Sequence, residues 1–333
     1  MLDCVTQARR VALHDLEPTP DDFLAAMVEG LSRPQKALPH RFLYDAEGSA
    51  LFDRITALPE YYPTRTELGI LRDRAGEIAG RVGPGAQLVE LGSGSSVKVR
   101  ILLDALSAPD AYVPVDISRE HLAAAAQAIQ DDYPDLKVEA ICADFSQPFD
   151  LPPRGQGRRV GFYPGSSIGN FAPGEARAFL SLWARRLGAG ALMLIGVDLQ
   201  KPAGVLEPAY DDAQGVTAAF SLNLLARANR ELGTDFDVRQ YRHEARYHAD
   251  TGRVAIHLRS LADQAVSVGG RRFTLAAGET IHIEDSWKYS LDGFQALASE
   301  AGFAPIEVWT DAGGLFSVHL MEARPVPSGP PGR

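Results

Sequence analysis

The chain has 333 residues, 45% of them hydrophobic, and a formal net charge of −10. That is enough apolar material for one large core or two modest ones, and the absence of any Lys/Arg cluster argues against nucleic acid or an acidic membrane as partner. Two cysteines, Cys4 and Cys142, lie far apart with no CxxC pair, which argues against a disulfide framework or a thiolate metal site and points to a reducing, cytoplasmic setting.

The first stretch, "MLDCVTQARRVALHDLEP", lacks the apolar segment of a leader peptide, and the longest apolar run, "ALMLIGV", is too short to span a bilayer. "TPDDFLAAMVEGL" predicts a helix with Thr19 as N-cap and Pro20 at its first position. "PTRTELGILRDRAGEIAGRV" predicts a second, with Thr64 and Glu67 at capping-box spacing. Strands at "QLVEL", "YVPVD", "KVEAICA", "RVGFYP" and "ALMLIGVD" then alternate with helices over 97–106, 119–132 and 174–187. This is the pattern of parallel βαβ units covered on both faces. The alternation stops after Asp198. A helix over roughly 211–232 leads into strand-like segments with turns at "DTGR" and "VGGRR", which read as antiparallel. Between Leu291 and Glu322 a helix and two strands, "FAPIEVWT" and "LFSVHLME", complete the first sheet. The expectation is an α/β sheet interrupted by an α+β substructure, with the N-terminal helices and the 199–285 insert as a lid over a ligand. The Pro/Gly-rich tail, residues 323–333, reads as disordered.

The glycine loop after the first strand, "VELGSGSSVKVR", narrows the ligand. In the dinucleotide fingerprint G-x-G-x-x-G the third glycine lets the helix pack close and receive a pyrophosphate. Gly92 and Gly94 fill the first two places, but Val97 fills the third. The loop therefore suits close backbone approach by an uncharged ligand portion. Asp116, ending "YVPVD", is placed to bind ribose hydroxyls. Asp144 and Phe145 follow "KVEAICA", where a carboxylate accepts an adenine amino proton and a ring covers the base. This ordered set fits S-adenosylmethionine, which carries adenosine and no pyrophosphate.

Three other patterns compete for attention. "GSSIG", residues 165–169, matches the G-x-S-x-G nucleophile elbow with Ser167 as nucleophile and Asp198 and His319 as triad partners, an α/β serine hydrolase alternative. The elbow leads straight into a helix, however, and here "NFAPGEARAF" delays the helix to about Pro173. "HEARYH" spaces His243 and His248 five apart, which puts them on opposite faces of a strand; it reads as a solvated strand, and no metal is expected. "GGRRF" reads as a hairpin tip facing water.

Several stretches, "RFLYDAEGSALFDRITALPEYYPTRTE", "VELGSGSSVKVRILLDAL", "YPGSSIGNFAP", "AYDDAQGVTAAFSLNLLARANRELGTDFD" and "IHIEDSWKYS", resemble the histidine-specific, S-adenosylmethionine-dependent Nα-methyltransferases of ergothioneine biosynthesis. The resemblance runs in order from about residue 18 to 322. It implies a Rossmann-type class I methyltransferase domain (63–198 and 286–322) interrupted by an α+β substrate-binding domain (18–62 and 199–285). It further implies transfer of three methyl groups to the α-amino nitrogen of L-histidine, yielding hercynine and S-adenosyl-L-homocysteine; separately, a monomer is expected. By match to the family pattern, Gly92, Lys98, Asp116, Asp144 and Phe145 contact the cofactor, with Gly94 in the same loop. Tyr44, Tyr61, Asn170 and Tyr210 surround the backbone end of the amino acid, and Glu284 and Ser286 grip the imidazole. Ile256 stands where the family often has methionine, which keeps open an Nα-methyltransferase of tryptophan or tyrosine.

The chemistry of these types agrees with the roles implied. Asn170 and Tyr210 offer an N–H and an O–H to an α-carboxylate. Glu284 and Ser286 alternate along "IHIEDSW", so they share one strand face while Asp285 points away. Methyl transfer to a neutral amine depends on positioning, and the amine must first lose its proton to water or to a nearby acceptor such as a tyrosine oxygen. Tyr44 and Tyr61 are the catalytic candidates and the aromatic faces for a growing cation.

Overall fold

The computed structural model describes residues 11–16, 23–94 and 96–325. Cys4, the helix start at Thr19 and Pro20, and the tail from residue 326 lie outside them. An edge strand β1 (Ala12–Asp15) precedes helices α1 (Phe23–Ser32), α2 (Ala46–Thr56) and α3 (Tyr62–Val82). The βαβ series follows: β2 (Gln87–Leu91), α4 (Val97–Ala105), β3 (Ala111–Asp116), α5 (Arg119–Asp132), β4 (Lys137–Cys142), β5 (Arg159–Tyr163), α6 (Pro173–Leu187) and β6 (Leu192–Asp198). Every residue of β2 and β6 is buried, as expected of inner strands with both faces covered.

The chain then leaves the sheet. Helices α7 (Ala203–Tyr210) and α8 (Val216–Leu232) lead into β7 (Tyr241–His248), β8 (Arg253–Ser260), β9 (Gln264–Val268), β10 (Arg271–Leu275) and β11 (Thr280–Trp287). It returns through α9 (Leu291–Glu300), β12 (Phe303–Thr310) and β13 (Phe316–Ala323). The large sheet has the order β1-β4-β3-β2-β5-β6-β13-β12, parallel except for β13, which runs antiparallel to both neighbours. Strand order reverses at β2, with β3 on one side and β5 on the other. In such sheets ligands bind outside the carboxyl ends of the strands at this switch point. The inserted strands form an antiparallel three-stranded sheet, β11-β8-β7, and a β9–β10 hairpin turning at Gly269 and Gly270 with Arg271 and Arg272 exposed.

Apolar clusters cover both faces of the large sheet, one built on α3, α4 and α5, the other on α6 and α9 around Trp183 and Phe294. A further cluster joins the N-terminal helices to the insert through Leu31, Leu43, Phe220, Leu258 and Ile281. No helix among the described residues is long and apolar enough to cross a membrane.

Four expectations need correction. The helix read over 211–232 begins at Val216, because Asp212 accepts from the N–H groups of Val216 (3.0 Å) and Thr217 (2.7 Å) and Gly215 turns the chain at φ 72°. The capping box of Thr64 and Glu67 does not form: Glu67 is fully buried and receives the Lys98 ammonium at 2.5 Å instead. The "HEARYH" strand is half-buried rather than solvated, with His243 4% exposed and its Nε2 2.7 Å from the Tyr210 carbonyl. The division expected at 285/286 falls inside β11, which stays in the three-stranded sheet through Trp287.

One glycine decides how sheet and insert meet. The short turn Ser167–Asn170 rests on β11, and a Cβ on Gly169 would lie 2.7 Å from the Trp287 carbonyl oxygen. Gly169→Ala should therefore lower unfolding free energy by about 1–3 kcal/mol, as overpacking does. Urea denaturation measures this, and an unchanged midpoint would show that the turn can lift away without cost.

Candidate active site

The switch point carries the glycine loop. Gly92 adopts φ 75°, and Ser96, at φ 56°, is a non-glycine residue held in the left-handed region at the entry to α4. Asp116, at the end of β3, accepts from the Ser93 N–H at 3.2 Å and the Ser118 N–H at 2.9 Å. Burial raises its carboxyl above the usual range, with those backbone donors opposing the shift. Asp144 accepts from the Ser146 N–H at 2.8 Å, so it does close a turn after β4. The neighbouring Phe145 ring packs against Tyr163 and Phe179 and reaches 4.0 Å from where a Cβ on Gly92 would stand. Val97 is 45% exposed, so no close packing demanded a third glycine there.

Gly165, where a Cβ would stand 3.5 Å from the Lys98 ammonium, lines a cavity. All seven residues singled out for the amino acid line it: Tyr44, Tyr61, Asn170, Tyr210, Ile256, Glu284 and Ser286. The β11–β8 ladder places Glu284 opposite Ile256, after a register shift between His282 and Glu284. Asp285 points away from the cavity, bonded to Arg253 (3.1 Å) and His282 (3.0 Å). Tyr44, Phe52 and Phe220 form an aromatic wall, with ring centroids 5.4–5.9 Å apart. Burial pushes the Glu284 carboxyl up to about 7, against the pull of the Lys288 charge. Burial also raises Tyr61 well above 10, so its hydroxyl keeps its proton at neutral pH.

Beneath the cavity lies a buried polar network whose members Tyr62, Lys201 and Lys288 the sequence did not single out. Asp198, fully buried, accepts from the Tyr62 hydroxyl (2.8 Å), the Lys201 ammonium (2.6 Å) and the Lys288 ammonium (2.7 Å). Lys288 also donates to Tyr210 and Ser286. A second network ties Lys98 to Glu67, whose oxygens accept from the Gly165 N–H at 2.9 and 3.0 Å. The signal that could have found them was a carboxylate or lysine standing inside an apolar pattern, as Glu67 does in α3. These contacts also dispose of the nucleophile elbow. Ser167 leads into a short 3-10 turn and donates to the Pro164 carbonyl at 3.1 Å, Asp198 is held by two lysines and a tyrosine, and His319 Nε2 lies 3.0 Å from Ser317.

A model described as histidine-specific, S-adenosylmethionine-dependent methyltransferase matches residues 23–323. The chain belongs to this family. It is 43% identical over 296 residues to the histidine N-alpha-methyltransferase of Mycolicibacterium smegmatis, covering 87% of this chain and 92% of that protein. It is 44% identical over 296 residues to the histidine N-alpha-methyltransferase of Mycobacterium tuberculosis, with the same coverage. Ergothioneine biosynthesis protein 1 of Neurospora crassa is 34% identical over 311 residues, 90% of this chain and 35% of that protein.

The cofactor of the histidine-specific methyltransferase family fits the residues found at the switch point. Among the described residues, a Cβ on Gly94 would meet nothing within 4 Å, and the buried Ser93 hydroxyl has no hydrogen-bond partner. Gly92, Ser93 and Gly94 can hold the methionine end, Asp116 the ribose, and Asp144 with Phe145 the adenine. What S-adenosylmethionine supplies when bound is a methyl group on a cationic sulfur. Lys98, expected at the cofactor, faces Glu67 and the Gly165 loop, between crevice and cavity.

The raised Glu284 carboxyl has a measurable signature. Its ordinary value of 4.5 becomes about 7 in the folded chain, so the native state binds the extra proton between those values. Its stabilising contribution is present below pH 4.5 and is lost as pH rises through about 7. Relative to Glu284→Gln, the wild type should lose melting temperature across that window. Parallel melting curves would refute the raised value.

Proposed function

We propose that this protein transfers three methyl groups from S-adenosylmethionine to the α-amino nitrogen of L-histidine, giving hercynine and S-adenosylhomocysteine, as a monomer in the cytoplasm. The observation that carries the reading is one cavity that gathers an imidazole-competent pair, Glu284 and Ser286, with the hydroxyl and amide groups of Tyr61, Tyr210 and Asn170. We also assign residues 63–198 and 288–322 to a cofactor-binding domain, and 23–62 with 199–287 to a substrate domain whose strand β11 supplies both Glu284 and Ser286.

The roles follow from side-chain chemistry. A neutral imidazole offers one N–H and one lone pair, matched by the Glu284 carboxylate and the Ser286 hydroxyl. Asn170 and Tyr210 donate to the α-carboxylate. Tyr61 keeps its proton, so it orients the amine by accepting a hydrogen bond rather than by removing a proton as phenolate. The α-ammonium releases its proton to water, since an amine is mostly protonated at neutral pH. Tyr44, Phe52 and Phe220 present ring faces to the cation as methyl groups accumulate. Positioning of the amine, rather than a covalent step on the protein, is the catalytic task.

A second reading rests on Ile256, which opposes Glu284 and is stiffer than the methionine common in the family. It predicts an α-N-methyltransferase for tryptophan or tyrosine. Mass spectrometry after incubation with S-adenosylmethionine and the twenty amino acids separates the two: histidine alone should gain three methyl groups. Glu284→Ala should lower kcat/KM for histidine by about ten- to a hundredfold, the cost of losing a hydrogen bond to a charged group. Methylation of another amino acid in place of histidine would transfer the assignment to the second reading.

A further inference from the structure

Lys288 lies outside every site residue the sequence singled out, yet its ammonium touches two of them. It is 2% exposed, with Nζ 2.7 Å from Asp198 Oδ2, 2.6 Å from the Tyr210 hydroxyl and 2.8 Å from Ser286 Oγ. An ammonium has three N–H donors and no acceptor, so these three contacts use all of it. Both hydroxyl oxygens must therefore accept from Lys288, and each hydroxyl hydrogen has to point elsewhere. Tyr210 and Ser286 are 3.0 Å apart and both line the cavity, so a hydrogen that bridges them can turn, together with the other, toward acceptors placed in the cavity.

We infer that Lys288 is a positioning residue that turns Tyr210 and Ser286 into hydrogen-bond donors toward the amino-acid substrate. Ser286 donates to the lone pair of the imidazole, and Tyr210 donates to the α-carboxylate. The inference rests on the histidine reading above. Asp198 is the acceptor that competes for these hydrogens once the ammonium is removed, because an ionised carboxylate only accepts. Lys288 thus keeps the two hydroxyls facing the cavity by occupying the carboxylate behind them. It also sets a condition on the ring: one nitrogen must carry a lone pair for Ser286 while another atom gives an N–H to Glu284. An indole, with its single N–H and no ring lone pair, does not meet it.

The test compares wild type, Lys288→Met, and Asp198→Asn/Lys288→Met, in which both charges of the buried pair are removed together. Histidine KM, kcat and S-adenosylhomocysteine affinity are measured for each, with melting temperature as the fold control. The expected result is a rise in histidine KM of at least about tenfold with S-adenosylhomocysteine affinity unchanged. The Lys288→Met effect should also shrink when built on Ser286→Ala with Tyr210→Phe, because residues acting through one another are not additive. A lowered melting temperature with histidine KM unchanged, full additivity, or failure of both Lys288 variants to fold would make Lys288 a residue of stability alone and overturn the inference. A wild type that does not methylate histidine defeats the functional reading itself, which is a separate outcome from a wild type that does and a Lys288 variant that matches it.

Discussion

The buried ion pair between Asp198 and Lys288 is the constraint on which this architecture turns. A buried carboxylate is tolerated only when its partners satisfy it, since desolvation otherwise exceeds the Coulombic gain. Asp198 meets that demand with donors from three places in the chain: Tyr62 at the start of α3, Lys201 just after β6, and Lys288 just after β11. Its own backbone N–H donates to Ser166 Oγ at 2.9 Å, which holds Ser166 in a left-handed conformation at φ 58°. A helix, a sheet strand, the insert and the turn leading to Asn170 are therefore registered against one another at a single carboxylate. Loosening any one donor would unsettle the others, because each completes the same coordination.

Glu67 does the same work on the side of the glycine loop. From the second turn of α3 it accepts both the Lys98 ammonium and the Gly165 N–H, linking the helix after that loop to the wall of the cavity. A side chain on Gly196 would collide with it, at 2.0 Å from Glu67 Oε1, so the sheet leaves room for that carboxylate by omitting a Cβ. The α3 helix thus carries two buried acid contacts, Tyr62 to Asp198 and Glu67 to Lys98, and these set the spacing between the crevice and the cavity.

What could be read from the chain alone followed from period and punctuation. The five inner parallel strands are short apolar runs between helical patterns, and α5 is found over the residues its pattern predicted, 119–132. The cavity residues were legible because Glu284 and Ser286 alternate and because the resemblance supplied the distant partners. The rest depended on contacts with no local signature. β1 is a four-residue edge strand whose pairing with β4 spans more than a hundred residues, and nothing in "ALHD" announces it. The separation of α7 from α8 hangs on Asp212 turning its carboxylate to the next helix, which spacing alone does not show. Glu67 misled for a physical reason: an acid three residues after a threonine suits a cap, and only tertiary burial reveals that its charge is answered by Lys98. Lys288 and Asp198 are ninety residues apart in sequence, so their pairing becomes visible only when the two ends of the insert meet.

That meeting point carries a consequence for how such a protein can change. The insert leaves the sheet at Leu199 and returns at Tyr289, and these residues bridge each other, with the Gln200 N–H donating to the Tyr289 carbonyl at 2.9 Å. Seen from the sheet, about ninety residues amount to a stalk whose two feet are already clasped. Once the feet are tied, lengthening or remodelling the crown adds little closure entropy, which grows only slowly with loop length. The recognition surface can therefore be redrawn in evolution or in the laboratory as a cassette, provided the clasp and the charge pair beside it are carried over intact.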